Sequence, residues 1–541
     1  MRVDRRGFIV GCAALAAQQS APLSFSAQQG APSGDRRSPT HRCLFLDDAH
    51  IDRAEALELR PHPGKPYAGN PLLQGKYPWE KVRLQLYGHC IVYNTDRKLY
   101  QMYYLAQPSS SHWPNLRVGG ARKVGWATLP AYAESTDGIH WERPLRRDVP
   151  YEDIAETNLL DLHEGQSFEA GVMWDPHDPD PRRRYKAFIW DQHFDLPKPG
   201  KLDFRRAKPS KEFPRGLIVS QLLKDESGKI VYEQLYNDRG IRVAFSADGI
   251  HWKKHPGWVI PCYSDTGQSV LYDSRLGKYV AFGRFNQQKE SPAYYVGRNV
   301  TRVESADFIH WSEPELVLAG DSKDPESFQI NSMPVDFYEG LYVGIMEVDV
   351  RPFPRPGRPL QLAVSRDGQR WTRVANRAPI TLLDQTYQYS NDEPPSDAWD
   401  VYGGRPATGF FVHDGEIRMY YCSGNKTGMG VGMVTWRRDG FVSLGAGREG
   451  GELLTRAFIP TAPDLHLNID ASDGDATVRV CDFQGQPLKG WKINEPSEPI
   501  RGNQLDTVVR WAGSDFGQRV GKATTLRIKM RNADLYSYWT G

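Results

Sequence analysis

The chain has 541 residues, too many for one ordinary hydrophobic core, so two or more domains are expected. Hydrophobic residues make up 39% and charged residues 25%, as in soluble globular proteins, and a net charge of +2 gives no reason to expect a nucleic-acid partner. No run of 18 apolar residues follows the N-terminus, which argues against a membrane span.

Residues 1–40 read as an address and a tether. Arg5 and Arg6 precede Gly7-Phe8-Ile9-Val10 and an Ala-rich apolar run to Ala17, a pattern like a twin-arginine signal peptide, so a periplasmic or secreted destination is expected. The Gln-, Ser-, Pro- and Gly-rich stretch after it is a flexible linker by composition.

Residues 41–444 contain paired β-branched and aromatic runs separated by turns. In chain order the first pair is Cys90–Tyr93 with Leu99–Tyr104, and the second is Gly171–Trp174 with Tyr185–Ile189. Ser269–Tyr272 with Tyr279–Phe282, Met333–Val335 with Leu341–Ile345, and Gly409–Val412 with Ile417–Tyr421 complete the set. Each pair is followed by the same heptad. It reads Ser135-Thr136-Asp137-Gly138-Ile139-His140-Trp141 and recurs at Ser246–Trp252, Ser305–Trp311 and Ser365–Trp371, with a worn copy at Arg438-Asp439-Gly440-Phe441. The aspartates lie 111, 59, 60 and 72 residues apart. About sixty residues suit one four-stranded propeller blade, and the long first gap is an insertion over roughly 191–240. Five hairpins therefore predict five blades. The Asp-Gly tip is a tight turn, so the heptad and its His140, His251 and His310 are structural.

Residues 445–541 lose the repeat and keep short alternating strands, which predicts a separate β-sandwich. Setting Cys12 aside with the signal, the remaining cysteines (Cys43, Cys90, Cys262, Cys422, Cys481) are odd in number and scattered. They read as buried thiols, with no metal site indicated.

The repeated Ser-x-Asp-Gly-x-x-Trp turns, the Asp-Pro-rich turn at 175–181 and the ending Leu526-Arg527-Ile528…Ala533-Asp534-Leu535-Tyr536-Ser537 resemble bacterial propeller proteins related to glycoside hydrolase family 32, and to family 43. The resemblance implies an all-β, five-bladed propeller, with the C-terminal sandwich of family 32, acting on carbohydrate. It does not carry catalytic residues over. Family 32 opens blade one with Trp-Met-Asn-Asp-Pro-Asn-Gly, and the matching Leu86-Tyr87-Gly88-His89-Cys90-Ile91-Val92 has no carboxylate. The family's Arg-Asp-Pro and Glu-Cys motifs are not recognisable either.

Candidate site residues follow from position. Cleavage of a glycosidic bond needs one protonated and one ionised carboxyl group, and a propeller's funnel is lined by residues that open its inner strands. Asp265, Glu169, Glu326 and Asp400 stand at those openings, with Glu80 and Asp47 further off. Any of them could equally cap a turn. His89 and His163 are candidate acids or substrate contacts. Trp79, Trp399 and Tyr402 could stack on sugar rings or pack in the core. Arg405 could grip a substrate carboxylate or sulfate, or pair between blades. The expectation is an exported glycoside hydrolase with a carboxylate pair in the funnel. The alternatives are a glycan-binding propeller without catalysis and a sugar phosphorylase using Arg405 and Arg284. No cofactor motif occurs, and a structural Ca²⁺ in the channel is left open.

Overall fold

The computed structural model describes residues 42–541 except 82, 87, 109–116, 119–120, 123–127, 163–168, 194–237, 263, 265, 286–297, 351–359, 382–397, 402–404, 426–427 and 489–494. The chain is all-β, and its contacts divide it into two units: residues 63–436, and residues up to 62 together with 437–541.

The first unit is a five-bladed propeller of five antiparallel sheets. Blade one has an inner strand in two pieces, Arg83–Gln85 and Ile91–Asn94, then Leu99–Gln107 and Leu129–Ser135. Blade two is Glu169–Trp174, Tyr185–His193, Asp238–Ser246 and Lys253–Lys254, and blade three is Ser269–Asp273, Lys278–Gly283, Val300–Ser305 and Glu315–Leu318. Blade four again splits its inner strand, Phe328–Ser332 and Val335–Tyr338, before Leu341–Val350, Leu360–Ser365 and Thr372–Arg373. Blade five runs Arg405–His413, Glu416–Asn425 and Gly428–Arg437, and its outer edge comes from the other end of the chain. Lys65–Pro66 and Leu73–Gln74 pair with Gly428–Arg437, closing the ring with hydrogen bonds from both ends of the propeller segment.

The heptad sets one register in four blades. Its Ser pairs with a Tyr at or next to the start of the second strand: Tyr100 with Ser135, Tyr185 with Ser246, Tyr279 with Ser305 and Tyr342 with Ser365. Within the first copy the Ser135 hydroxyl accepts Gly138 N–H at 2.9 Å, Asp137 Oδ1 accepts the amides of Ile139 and His140 at 2.8 Å each, and Trp141 Nε1 donates to Gly138 O at 3.2 Å. Arginines then bridge to these turns from the neighbouring blade. Arg183 donates to Asp307 O, Arg275 to Arg366 O and Arg418 to Asp137 O, at 2.7–3.1 Å. The heptad is a structural clamp, as its residue types predicted.

The second unit is a connected nine-stranded antiparallel sheet around one apolar core, with Leu444, Leu467, Val478, Leu526 and Leu535 fully buried. Residues 42–62, expected to open the propeller, belong here instead. Ile51–Glu55 pairs with Gly451–Thr455, and Leu57–Pro61 with Val442–Ala446. The five remaining cysteines are buried free thiols. No helix among the described residues is long and apolar enough to cross a membrane.

Candidate functional site

Antiparallel pairing gives each blade two unlike ends. Inner and second strands join through short hairpins at the end that carries the heptads. The other end gathers the first residues of the inner strands and the last residues of the second strands. The connections from second to third strand in blades two, three and four attach to strands at this second end. Function concentrates where loops meet a rigid scaffold, so the search for a site starts there.

In the gap of blade one's inner strand, Leu86 and His89 contact the neighbouring sheets. This segment reaches every other blade. Leu86 O accepts the Cys422 thiol at 3.5 Å, Val172 N donates to His89 O at 2.6 Å, and His89 N donates to Gln268 O at 2.8 Å. His89 Nε2 lies 3.8 Å from Asp336 Oδ2 of blade four. Gly88 is required there: its φ is +75°, and a Cβ would come within 2.4 Å of the Gln268 backbone.

His89 Nδ1 is 2.8 Å from Val270 O. A carbonyl only accepts, so Nδ1 carries hydrogen and Nε2 faces the carboxyl. The contact is attractive when one proton resides on Nε2 or on Asp336. Burial raises the Asp336 pKa, and the charge of His89 offsets part of that rise. The Asp336 side chain is 25% exposed. A carboxyl group thus stands beside residues 86–92 after all, supplied by blade four.

A second acid lies near the open end. Glu347, on Leu341–Val350, has a side chain 2% exposed. Its Oε2 accepts Asn331 Nδ2 at 2.7 Å and Ser332 Oγ at 3.3 Å, and its Oε1 is 3.8 Å from Arg405 Nε. Arg298 Nη1 donates to Asn331 Oδ1, which turns the Asn331 amide toward the acid. Buried carboxylates persist only with partners of this kind. Beside Asn331, between blades three and four, is a small cleft with room for about one water, whose lining includes Thr266, Arg284, Asn299, Asn331 and Ser332. Asp191 on blade two is a third buried acid, with Arg242 Nε 3.7 Å from its Oδ2.

The residues expected from sequence distribute unevenly. Asp265, His163 and Tyr402 lie outside the described residues. Glu169 is the first residue of blade two's inner strand, opposite Trp190. Glu326 is exposed in the turn before blade four's inner strand. Asp400 is half-buried and accepts Tyr421 Oη at 2.9 Å. Trp399 packs 5.6 Å from the Tyr421 ring, in space left by Gly432. Trp79 is no sugar platform: it is 1% exposed, stacked on Tyr77 at 4.8 Å, with Nε1 donating to Asn158 Oδ1 at 2.9 Å. Glu80 is likewise structural, accepting Lys76 N at 2.8 Å and pairing with Arg143 at 3.1 Å. Arg405 makes the inter-blade contact with Glu347. His89 is brought to Asp336, and sequence reasoning missed Asp336, Glu347 and Asp191. For the last two a signal existed, since each acid follows an apolar strand run, Phe188-Ile189-Trp190 and Ile345-Met346.

No family model and no curated protein matches the chain. Among solved structures it is similar to a β-1,2-mannobiose phosphorylase from Listeria innocua, with 10% identity, TM-score 0.42, and 69% of this chain and 96% of the other covered. It is similar also to a glycosyl hydrolase from Bacteroides ovatus, with 13% identity, TM-score 0.40 and coverage of 70% and 94%. A third is a family 32 β-fructofuranosidase from Bombyx mori, with 9% identity, TM-score 0.35 and coverage of 86% and 94%.

Proposed function

We propose that the chain is an exported glycoside hydrolase that cleaves poly- or oligosaccharide at the open end of its propeller. The observation that carries this reading is Glu347, a buried carboxylate held by Asn331, Ser332 and Arg405 beside an open-end cleft. Donors from Asn331 and Ser332 and the nearby Arg405 guanidinium suit a base or charge-stabilising role for it. This reading takes the acid from another blade. Val343, the partner of Asp336, is four residues from Glu347 on one strand, a run of about 13 Å at 3.3 Å per residue. Glu169, opening the inner strand of blade two, takes the acid role in this account, and Asp265 is a further base candidate on sequence grounds. The twin-arginine-like start supports export.

The test is sugar release from a broad glycan panel by the full chain, with and without inorganic phosphate. Release without phosphate supports hydrolysis. Release only with phosphate identifies a phosphorylase, and binding without release identifies a glycan-binding propeller.

A further inference from the structure

The third strand of blade five opens Gly428-Met429-Gly430-Val431-Gly432-Met433. Successive side chains of a strand point to opposite faces. Val431 and Met433 are buried in the apolar core shared with blade one, so the alternating glycines leave the other face of the strand bare. Glycine weakens a strand, and its presence marks a place where another group lies close against the backbone. Here that group is the Trp399 indole. A Cβ on Gly432 would come within 2.6 Å of its Cζ2, and one on Gly430 within 3.5 Å of its Cζ3. At Gly428 a Cβ would meet nothing within 4 Å, so the bare strip continues, open, beyond the indole.

The residues around this indole are tied to the open end of the second strand. Asn425 Nδ2 donates to Ala398 O at 3.3 Å, Ser423 Oγ to Asp400 O at 2.9 Å and Tyr421 Oη to Asp400 Oδ2 at 2.9 Å. The Tyr421 ring supports the indole at 5.6 Å, tilted by 36°, and Trp399 remains only half-buried. An aromatic ring anchored in this way offers a flat apolar surface with little side-chain freedom left to lose on binding. A sugar ring has the matching character, with C–H groups on its face and hydroxyls at its rim. The register relates this surface to the acid of blade four. Cys422 stands opposite Arg405, whose Nε is 3.8 Å from Glu347, and the third strand lies beyond Cys422. Two strand spacings amount to about 10 Å, more than the step from one sugar ring to the next.

We propose that Trp399 and the open strip beside Gly428 form a stacking subsite for a sugar ring of the glycan, set apart from the bond that is cleaved, which makes the substrate longer than a disaccharide. The inference rests on the hydrolase reading and deepens it. The ring lies on the indole at the rim of blade five, while the chain continues inward toward Arg405 and Glu347.

The experiment is calorimetric titration of the full chain with gluco-, manno-, xylo- and arabino-oligosaccharides of two to six rings, repeated on Trp399→Leu and Trp399→Phe. Trp399→Leu keeps apolar bulk on the glycine strip and removes the flat face. Trp399→Phe restores a smaller face, so it stays informative if Trp399→Leu folds poorly. The expected result is that in at least one series affinity rises tenfold or more from two rings to six. Trp399→Leu should abolish that rise, and Trp399→Phe should recover part of it. No binding in any series, affinity independent of length, or a rise that survives Trp399→Leu would overturn the subsite. Sugar release without any gain from length leaves the hydrolase standing and removes only this inference. A gain from length that depends on Trp399, without release of any sugar, keeps the subsite and removes the hydrolase.

Discussion

Tyr279 Oη donates to Asp175 Oδ2 at 2.7 Å, tying the second strand of blade three to the hairpin of blade two. The same link recurs one blade on, where Tyr342 Oη donates to Asp273 Oδ2 at 2.5 Å, and one blade back, where Asn94 Nδ2 donates to Tyr185 Oη at 2.5 Å. These are the tyrosines that pair with the heptad serines, so one residue type sets register within a blade and docking between blades. Asp175 has a second duty: Lys186, with no exposed side-chain surface, sits 3.0 Å from it and 2.7 Å from Asp178. Tyr279→Phe removes one hydrogen bond and should cost about 1–2 kcal/mol. Asp175→Ala also leaves Lys186 with one carboxylate and should cost about 3–5 kcal/mol. Urea unfolding of both variants checks the order.

Acid should weaken the propeller through the same links. At Asp175 burial opposes ionisation, but hydrogen bonds from Tyr279 and Lys186 outweigh it and hold the pKa below the usual carboxylate range. At Asp273 burial is likewise outweighed, by Arg275 and Tyr342. Asp248 is held down to about 2, as the amides and imidazole of its turn overcome burial. A group whose folded pKa lies below its unfolded value of about 3.9 contributes its stability above that value and loses it as pH falls through the folded pKa. The share of stability carried by these three carboxylates should therefore be steady from pH 7 to about 5, and melting temperature should drop below about pH 4 as they protonate. A flat profile down to pH 2.5 contradicts the assignment.

Asp336 has the opposite sign. Its pKa is raised by burial, so the native state binds the proton more tightly than the unfolded chain and stability falls as pH rises above about 3.9. Asp336→Asn should stabilise the protein relative to wild type at pH 7 and not at pH 3.5. Thermal melts at the two pH values read this directly.

Two glycines separate backbone strain from crowding. Gly138 has φ +74°, and a Cβ there would lie 2.4 Å from Tyr420 Oη; Gly257 has φ +79° with nothing within 4 Å. Both Ala variants incur the left-handed backbone, and Gly138→Ala should lose about 1–3 kcal/mol more through overpacking. Equal losses would show that Tyr420 yields freely.

The propeller was legible because its blades repeat a turn whose chemistry is local. Asp137 and Gly138 make the same bonds wherever Ser-x-Asp-Gly occurs, and the spacing counts the blades. The ring closure was not legible, because Lys65–Pro66 and Leu73–Gln74 are two-residue pairings too short for any pattern. For the same reason residues 43–62 were misallocated: their partners lie some 400 residues away. The site was harder still. Placing candidates at inner-strand openings matched Glu169's position at the start of a strand and anticipated an inter-blade contact for Arg405, while Asp336 and Glu347 lie inside blade four and reach their partners only through the ring. Trp79 shows the converse, an aromatic residue whose indole N–H is satisfied inside the core by Asn158.

The central claim is that carboxylates at the open end of the propeller cleave a glycosidic bond. The most direct measurement is the initial rate of sugar release by wild type, Glu347→Gln and Glu169→Gln, each at equal folded fraction by circular dichroism. The account predicts a fall of about 10²-fold or more in kcat for each variant, the scale of losing a positioned acid or base. Wild-type rates in both variants, with release intact, would contradict it.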